Sequence, residues 1–192
     1  MPRDSTATKA RLLDAAAAEF AAYGLAGARV DRIAEAANAN KRLIYVYFGN
    51  KEQLFDAVIE RVLAVGAETV SFDAGDLAGF AGQVFDDLVA HPDLMRLLFW
   101  KRLERPGATD EEVATYRAKT AGVATAQQQG RVDPALDPAD VVALVLALTQ
   151  AWFTVAEDMT PTDGSHARST KRLAQHRAAV VEAVRRITAP PG

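Results

Sequence analysis

The stretch IAEAANANKRLIYVYFGNKEQL, residues 33–54, decides how this chain is read. Take Ala34 as the small residue at which two helices approach. Asn38 then falls at a turn and Ile44 on the inward face of a second helix, the three residue types that a helix-turn-helix requires. Asn38 stands where glycine is more usual, because asparagine tolerates positive φ at modest strain. Asn40 caps the second helix. Lys41, Arg42, Leu43 and Val46 then point outward near its N-terminus, the end that meets base edges in a major groove. Tyr45 and Tyr47 offer hydroxyl donors to phosphate oxygens, and Lys51 stands in the first turn of the next helix, where free amides and the helix dipole favour an anion. Spacing alone is shared with helix pairs of ordinary bundles.

Working outward, the N-terminal side reads as a helix capped by Ser5 or Thr6 and running to about Ala22, with Leu13, Ala16, Ala17 and Phe20 on one stripe. Gly24 supplies the left-handed residue that ends it. Short helices over 29–36 and 41–47 flank the turn Ala37-Asn38-Ala39. On the C-terminal side, Asn50-Lys51-Glu52-Gln53 reads as a capping box opening a long helix over 50–65, which carries Leu54, Phe55, Val58, Ile59 and Val62 at the helical period and ends within 66–71. Further helices are expected over 76–90, 92–104, 109–128, 138–157 and 166–188. Gly75, His91-Pro92, Pro106-Gly107 and loops at 130–138 and 161–165 separate them, and the tail 189–192 is expected to fray. Nowhere does apolar/polar alternation with β-branched residues persist between turn signals. The expected fold is all-α: an N-terminal three-helix domain over 1–49 and a helical domain over 50–192, with helix 50–65 connecting them.

Composition agrees. The chain has 192 residues, 49% apolar and 24% charged, with 39 alanines, the residue that loses least on entering a helix. The absence of cysteine excludes a disulfide framework, a thiolate zinc site and a cysteine nucleophile. An alanine run broken by Asp14 and Glu19 is no secretory signal. The most apolar stretch, 141–156, would span only about 24 Å as a helix, short of the ~30 Å hydrocarbon core. A cytoplasmic chain without a membrane partner is expected. Net charge is −3, but residues 1–55 carry +2 and the remainder −5, so the basic excess sits with the helix-turn-helix.

Residues 33–54 resemble the DNA-binding signature of tetracycline-repressor (TetR) type transcriptional regulators, and with Phe20 and Gly24 included the resemblance covers about 9–60. Ala28-Arg29 stands where a Thr-Thr pair is often seen, with Arg29 as the replacement phosphate partner. The resemblance implies a homodimer that binds double-stranded operator DNA, a small organic effector held by the rest of the chain, and a four-helix bundle formed by the last two helices of each subunit. The sequence accommodates this. Val141, Val142, Leu144, Val145, Leu146 and Leu148 make one helix apolar nearly all round, and Leu173, Val180, Val184 and Ile187 stripe the last.

For the effector pocket, the aromatics Phe99, Trp100, Tyr116, Trp152 and Phe153 are candidate lining residues, with Arg96, Arg102 or Gln127 as polar anchors. Aromatics at helical spacing also serve as plain core. His91, His166 and His176 lack a metal-binding spacing and read as a cap, a surface residue and a helix-face residue. No cofactor or metal is expected. An enzyme or small-molecule carrier is the competing class, but no activated nucleophile pair, phosphate-cradling glycine loop or paired carboxylate stands out. A purely architectural DNA protein would want a more basic chain.

Overall fold

The alanine-rich, strand-poor sequence folds as helices throughout. The computed structural model describes residues 3–155 and 169–191, and among them there are nine helices and no strand. These are α1 (Arg3–Gly27), α2 (Val30–Ala36), α3 (Lys41–Phe48), α4 (Lys51–Thr69), α5 (Leu77–Ala90), α6 (Pro92–Glu104), α7 (Asp110–Gln128), α8 (Pro138–Thr154) and α9 (Thr170–Thr188). Local chemistry sets several starts: Asn40 accepts from the Arg42 amide at 2.8 Å, Asp137 from Ala139 at 2.8 Å, and Thr109 and Glu112 form a reciprocal capping box. Some limits differ from expectation. α1 begins at Arg3, ahead of Ser5 and Thr6, whereas α4 ends at Thr69, within the expected 66–71. At the start of α4, Asn50 accepts from the Gln53 amide at 2.7 Å, but the Asn50 amide donates to the Phe48 carbonyl, so only half of the expected capping box forms. The expected loop at 161–165, the ends of helices 138–157 and 166–188 that fall within 156–168, His166 and Gly192 lie outside the described residues.

Two compact units result. The first contains residues up to 68 together with 91–107, and the second 69–90 together with the residues from 108 onward. This differs from a division at residue 49, for a packing reason. α4 buries Leu54, Phe55, Val58 and Ile59 in the core that Leu12, Ala16 and Phe20 of α1 share with Ile33 and Ile44, and Phe20 meets Phe55 edge-on at 5.0 Å. α6 adds Leu97 to that core. Each fully buried Phe or Leu there contributes about 1.5–3 kcal/mol. The core of the second unit is built from Leu77 and Phe80 of α5, Val123 and Ala126 of α7, Val141, Val142 and Val145 of α8, and Val180 and Val184 of α9.

A break inside α1 explains the role of α6. Gly24 has φ 68° and ψ −178°, a combination essentially confined to glycine, which kinks the helix and leaves the Leu25 and Ala26 amides to find an acceptor outside it. α6 satisfies both halves. The Glu104 carboxylate accepts from the Leu25 and Ala26 amides, while Arg96 and the Trp100 indole donate to the Ala21 carbonyl at 2.7 and 3.4 Å and Arg96 also reaches Ala22.

Candidate nucleic-acid interface

The turn between α2 and α3 has the geometry its residue types demand. Asn38 has φ 46°, its amide donates to Glu35 at 3.0 Å, and the Ala39 amide donates to Ala34 at 2.9 Å. Ala34, Ala37 and Ile44 are buried beneath it. From α1, Arg11 Nε donates to the Ala37 carbonyl at 3.2 Å and Lys9 lies 5.5 Å from the centre of the Phe48 ring. Glu19 fixes the other end of α2. It accepts from the Arg29 amide at 2.8 Å and from the guanidinium of Arg32, which also stacks 4.3 Å from the Tyr23 ring. Burial by itself raises the Glu19 carboxyl, but these bonds and the charge of Arg32 outweigh it and hold the group below its ordinary range.

The inward face of α3 consists of Ile44 and Phe48. At 100° per residue, Arg42 and Val46 then stand about 40° apart on the opposite crest. Arg42 is exposed with no partner for its guanidinium among the described residues, and Val46 is 63% exposed. Tyr45, exposed, occupies one flank, and Leu43 and Tyr47, both half-buried, the other. Lys41 lies lower, turned toward α2, where its ammonium pairs with Asp31 at 2.8 Å; that bond raises its pKa. Arg29 presents an exposed side chain at the N-cap position of α2. Lys51 Nζ donates to the carbonyls of Ala26 and Ala28 at 3.4 and 3.3 Å, tying α4 to the loop before α2. All nine candidate DNA-binding residues, Arg29, Asn40, Lys41, Arg42, Leu43, Tyr45, Val46, Tyr47 and Lys51, therefore belong to one unit, with Asn40 engaged as a cap and Lys41 and Lys51 already paired.

The candidate pocket residues divide. Arg96, Phe99, Trp100 and Arg102 sit on α6 in the first unit, where Arg96 and Trp100 donate to the broken α1 helix. In the second unit, Gln127 donates to the Asp133 and Leu136 carbonyls at 2.8 and 2.7 Å, and the Tyr116 hydroxyl donates to Ala139 at 2.8 Å. Both bonds fasten the start of α8 and the segment before it. Trp152 and Phe153 are brought together with residues that sequence reasoning did not select. Trp152 lies 4.7 Å from the His176 ring and 4.9 Å from the Arg172 guanidinium, and Phe85 faces both Phe153 and His176. His176 Nε2 is buried with no hydrogen-bond partner among the described residues. Burial first, and the Arg172 charge second, lower its pKa, so the imidazole is neutral near pH 7. A lone histidine on a helix face carries no signal of such neighbours. Among the described residues, no group of acidic and histidine side chains could hold a metal, and no helix is long and apolar enough to cross a membrane.

Comparison with known proteins accounts for both parts of the chain. Residues 12–58 match the family of bacterial regulatory proteins, tetR family, and residues 76–186 match the tetracyclin repressor-like C-terminal domain. The chain is 42% identical over 161 residues to the HTH-type transcriptional repressor SCO4008 of Streptomyces coelicolor, covering 82% of this chain and 83% of that one. It is 28% identical over 180 residues to the HTH-type transcriptional regulator RutR of Escherichia coli K12, covering 86% and 83%. The crystal structure of SCO4942 from Streptomyces coelicolor superposes with a TM-score of 0.82 at 38% identity, over 96% of this chain and 99% of that one. A helix-turn-helix whose reading crest is left open, followed by a helical region of the same lineage, places this chain in the tetR family of bacterial transcriptional regulators.

Proposed function

We propose that the protein is a ligand-responsive repressor that binds a palindromic operator as a homodimer and is released by a small organic effector. The observation that carries this reading is the crest of α3. An arginine and a valine stand exposed on a helix whose cap, turn and inward face are fully committed. Such a crest suits base edges, with Arg42 directed at guanine O6 and N7. Tyr47, Arg29 and the remaining donor of Lys51 clamp phosphates, which position the helix without specifying sequence. The name of the Streptomyces coelicolor relative supports repression as the mode of action.

Two reading helices must stand about 34–36 Å apart, or a multiple of that, to read a palindrome, and an isologous interface supplies that symmetry. Val145 and Val184 belong to the chain's own core and cannot form this interface. The outer face of α8, with Ala143, Leu144 and Ala147 exposed, and that of α9, with Ala174 and Ala178, are the surfaces for it. The effector binds in the second unit near Trp152 and Phe153. Its signal travels through α4, the helix Lys51–Thr69 that follows the helix-turn-helix in the chain and ends where the second unit begins. A ligand that prefers the non-binding spacing by about 1–3 kcal/mol weakens DNA binding by about 5–150-fold, and DNA weakens the ligand equally.

Selection of binding sites from random duplex DNA tests the reading. An inverted repeat should emerge, and Arg42→Ala should relax one symmetric position of it while leaving the rest. Equal loss for selected and random DNA would make Arg42 a phosphate contact.

A further inference from the structure

We infer that Val46 reads the C5-methyl of a thymine, so that each operator half-site carries a thymine recognised by Val46 about two base-pair steps from a guanine recognised by Arg42. This rests on the assignment of α3 as the reading helix and names what that helix reads.

The argument begins with what the crest lacks. Ile44 and Phe48 are the buried residues of α3, and Val46, on the far side, is 63% exposed. Its methyl groups face outward beside the one crest cation. Lys41, held on the α2 flank by Asp31 at 2.8 Å, is directed away from that crest. In the major groove the base edges present donors, acceptors and a single apolar group, the thymine methyl. An exposed valine gains nothing from a donor or acceptor and desolvates one at a cost, whereas contact with a methyl removes apolar surface of both partners from water. Arg42 supplies the complementary contact, a bidentate pair with guanine. The two side chains are four residues apart on one face, so they are separated by about 6 Å along the helix, close to two base-pair steps of ~3.4 Å. No other large apolar residue of α3 is as exposed: Leu43 is half-buried, and the exposed Tyr45 lies about 60° from the Arg42 position, on the flank, with a polar tip.

Deoxyuridine in place of thymidine deletes that methyl and nothing else. With the full chain and a duplex obtained by selection from random DNA, each thymine and its symmetry mate is replaced in turn, and the affinity is read by fluorescence anisotropy at one salt concentration. One symmetric pair should show a loss of about fourfold per half-site, hence roughly fifteenfold for both, the effect of exposing about one methyl group. Val46→Ala should bind the thymine duplex more weakly by the same factor and show no thymine-to-uracil difference at that pair, while other positions respond as in the parent. Because Val46 is exposed and alanine favours the helix, thermal unfolding should be unchanged, which separates lost contact from lost fold. The inference is overturned if no thymine methyl matters, or if Val46→Ala keeps the methyl preference. Failure to select any site would instead refute sequence-specific binding altogether.

Discussion

Replacing Gly24 by alanine tests the way α6 repairs α1. The backbone at Gly24, φ 68° and ψ −178°, costs a non-glycine residue about 1–3 kcal/mol. The new Cβ would also stand 2.8 Å from Trp100 Cδ2 and Cε3 and 3.1 Å from Glu104 Oε2, so the indole and the carboxylate must both shift. Displacing Glu104 leaves the amides of Leu25 and Ala26 without their acceptor, at about 1–3 kcal/mol. Together Gly24→Ala should lose about 2–6 kcal/mol, a large share of a domain's ~5–15 kcal/mol. The assay is urea unfolding followed by tryptophan fluorescence in a Trp152→Phe background, where Trp100 reports on the first unit alone. A midpoint matching that of the parent, with the Trp100 signal unchanged, would refute the account of the break and its repair.

Asp31→Ala should free Lys41 for phosphate, raise affinity for any duplex, and steepen the dependence of log affinity on log salt by about 0.9 per half-site; an unchanged slope would show that the pair does not restrain the lysine. Leu144→Asp should give a folded monomer by sedimentation and circular dichroism, since Leu144 is 45% exposed within the chain, whereas Val145→Asp, at 1% exposure, should unfold the second unit. His176 is held neutral in the fold, so as pH falls below about 6.5 the unfolded chain takes up the proton first and stability is lost; above that value its contribution is complete. His176→Phe should therefore flatten the fall in the unfolding midpoint between pH 7 and pH 5, and an identical fall in both proteins would place the titration elsewhere.

Local chemistry made the reading unit legible. Asn38 at positive φ, Asn40 as a cap and Ile44 facing inward are each dictated by the residue type and its neighbours within a few positions. The allocation of α4 and α6 was not legible, because it depends on contacts between residues far apart in sequence: Glu104 reaches Leu25 and Arg96 reaches Ala21. An arginine and a tryptophan on a short helix look the same in sequence whether they line a cavity or serve a broken helix. The partners of Gln127 and Tyr116 were hidden similarly, since a polar tip at the end of a long side chain satisfies a backbone carbonyl as readily as a ligand. The apolar run of α8 concealed which side is core. Only the packing shows that Val141, Val142 and Val145 face inward while Leu144 does not.

The most direct test of the central claim, that the crest of α3 reads sequence, is the ratio of affinities for the selected duplex and a scrambled duplex of equal length and salt. For the parent this ratio should reach about 10³ or more. In the double variant Arg42→Ala, Val46→Ala it should collapse toward one, while affinity for the scrambled duplex changes only by the loss of one charge per half-site. A ratio near one in the parent, or one that survives the double substitution, would contradict the account.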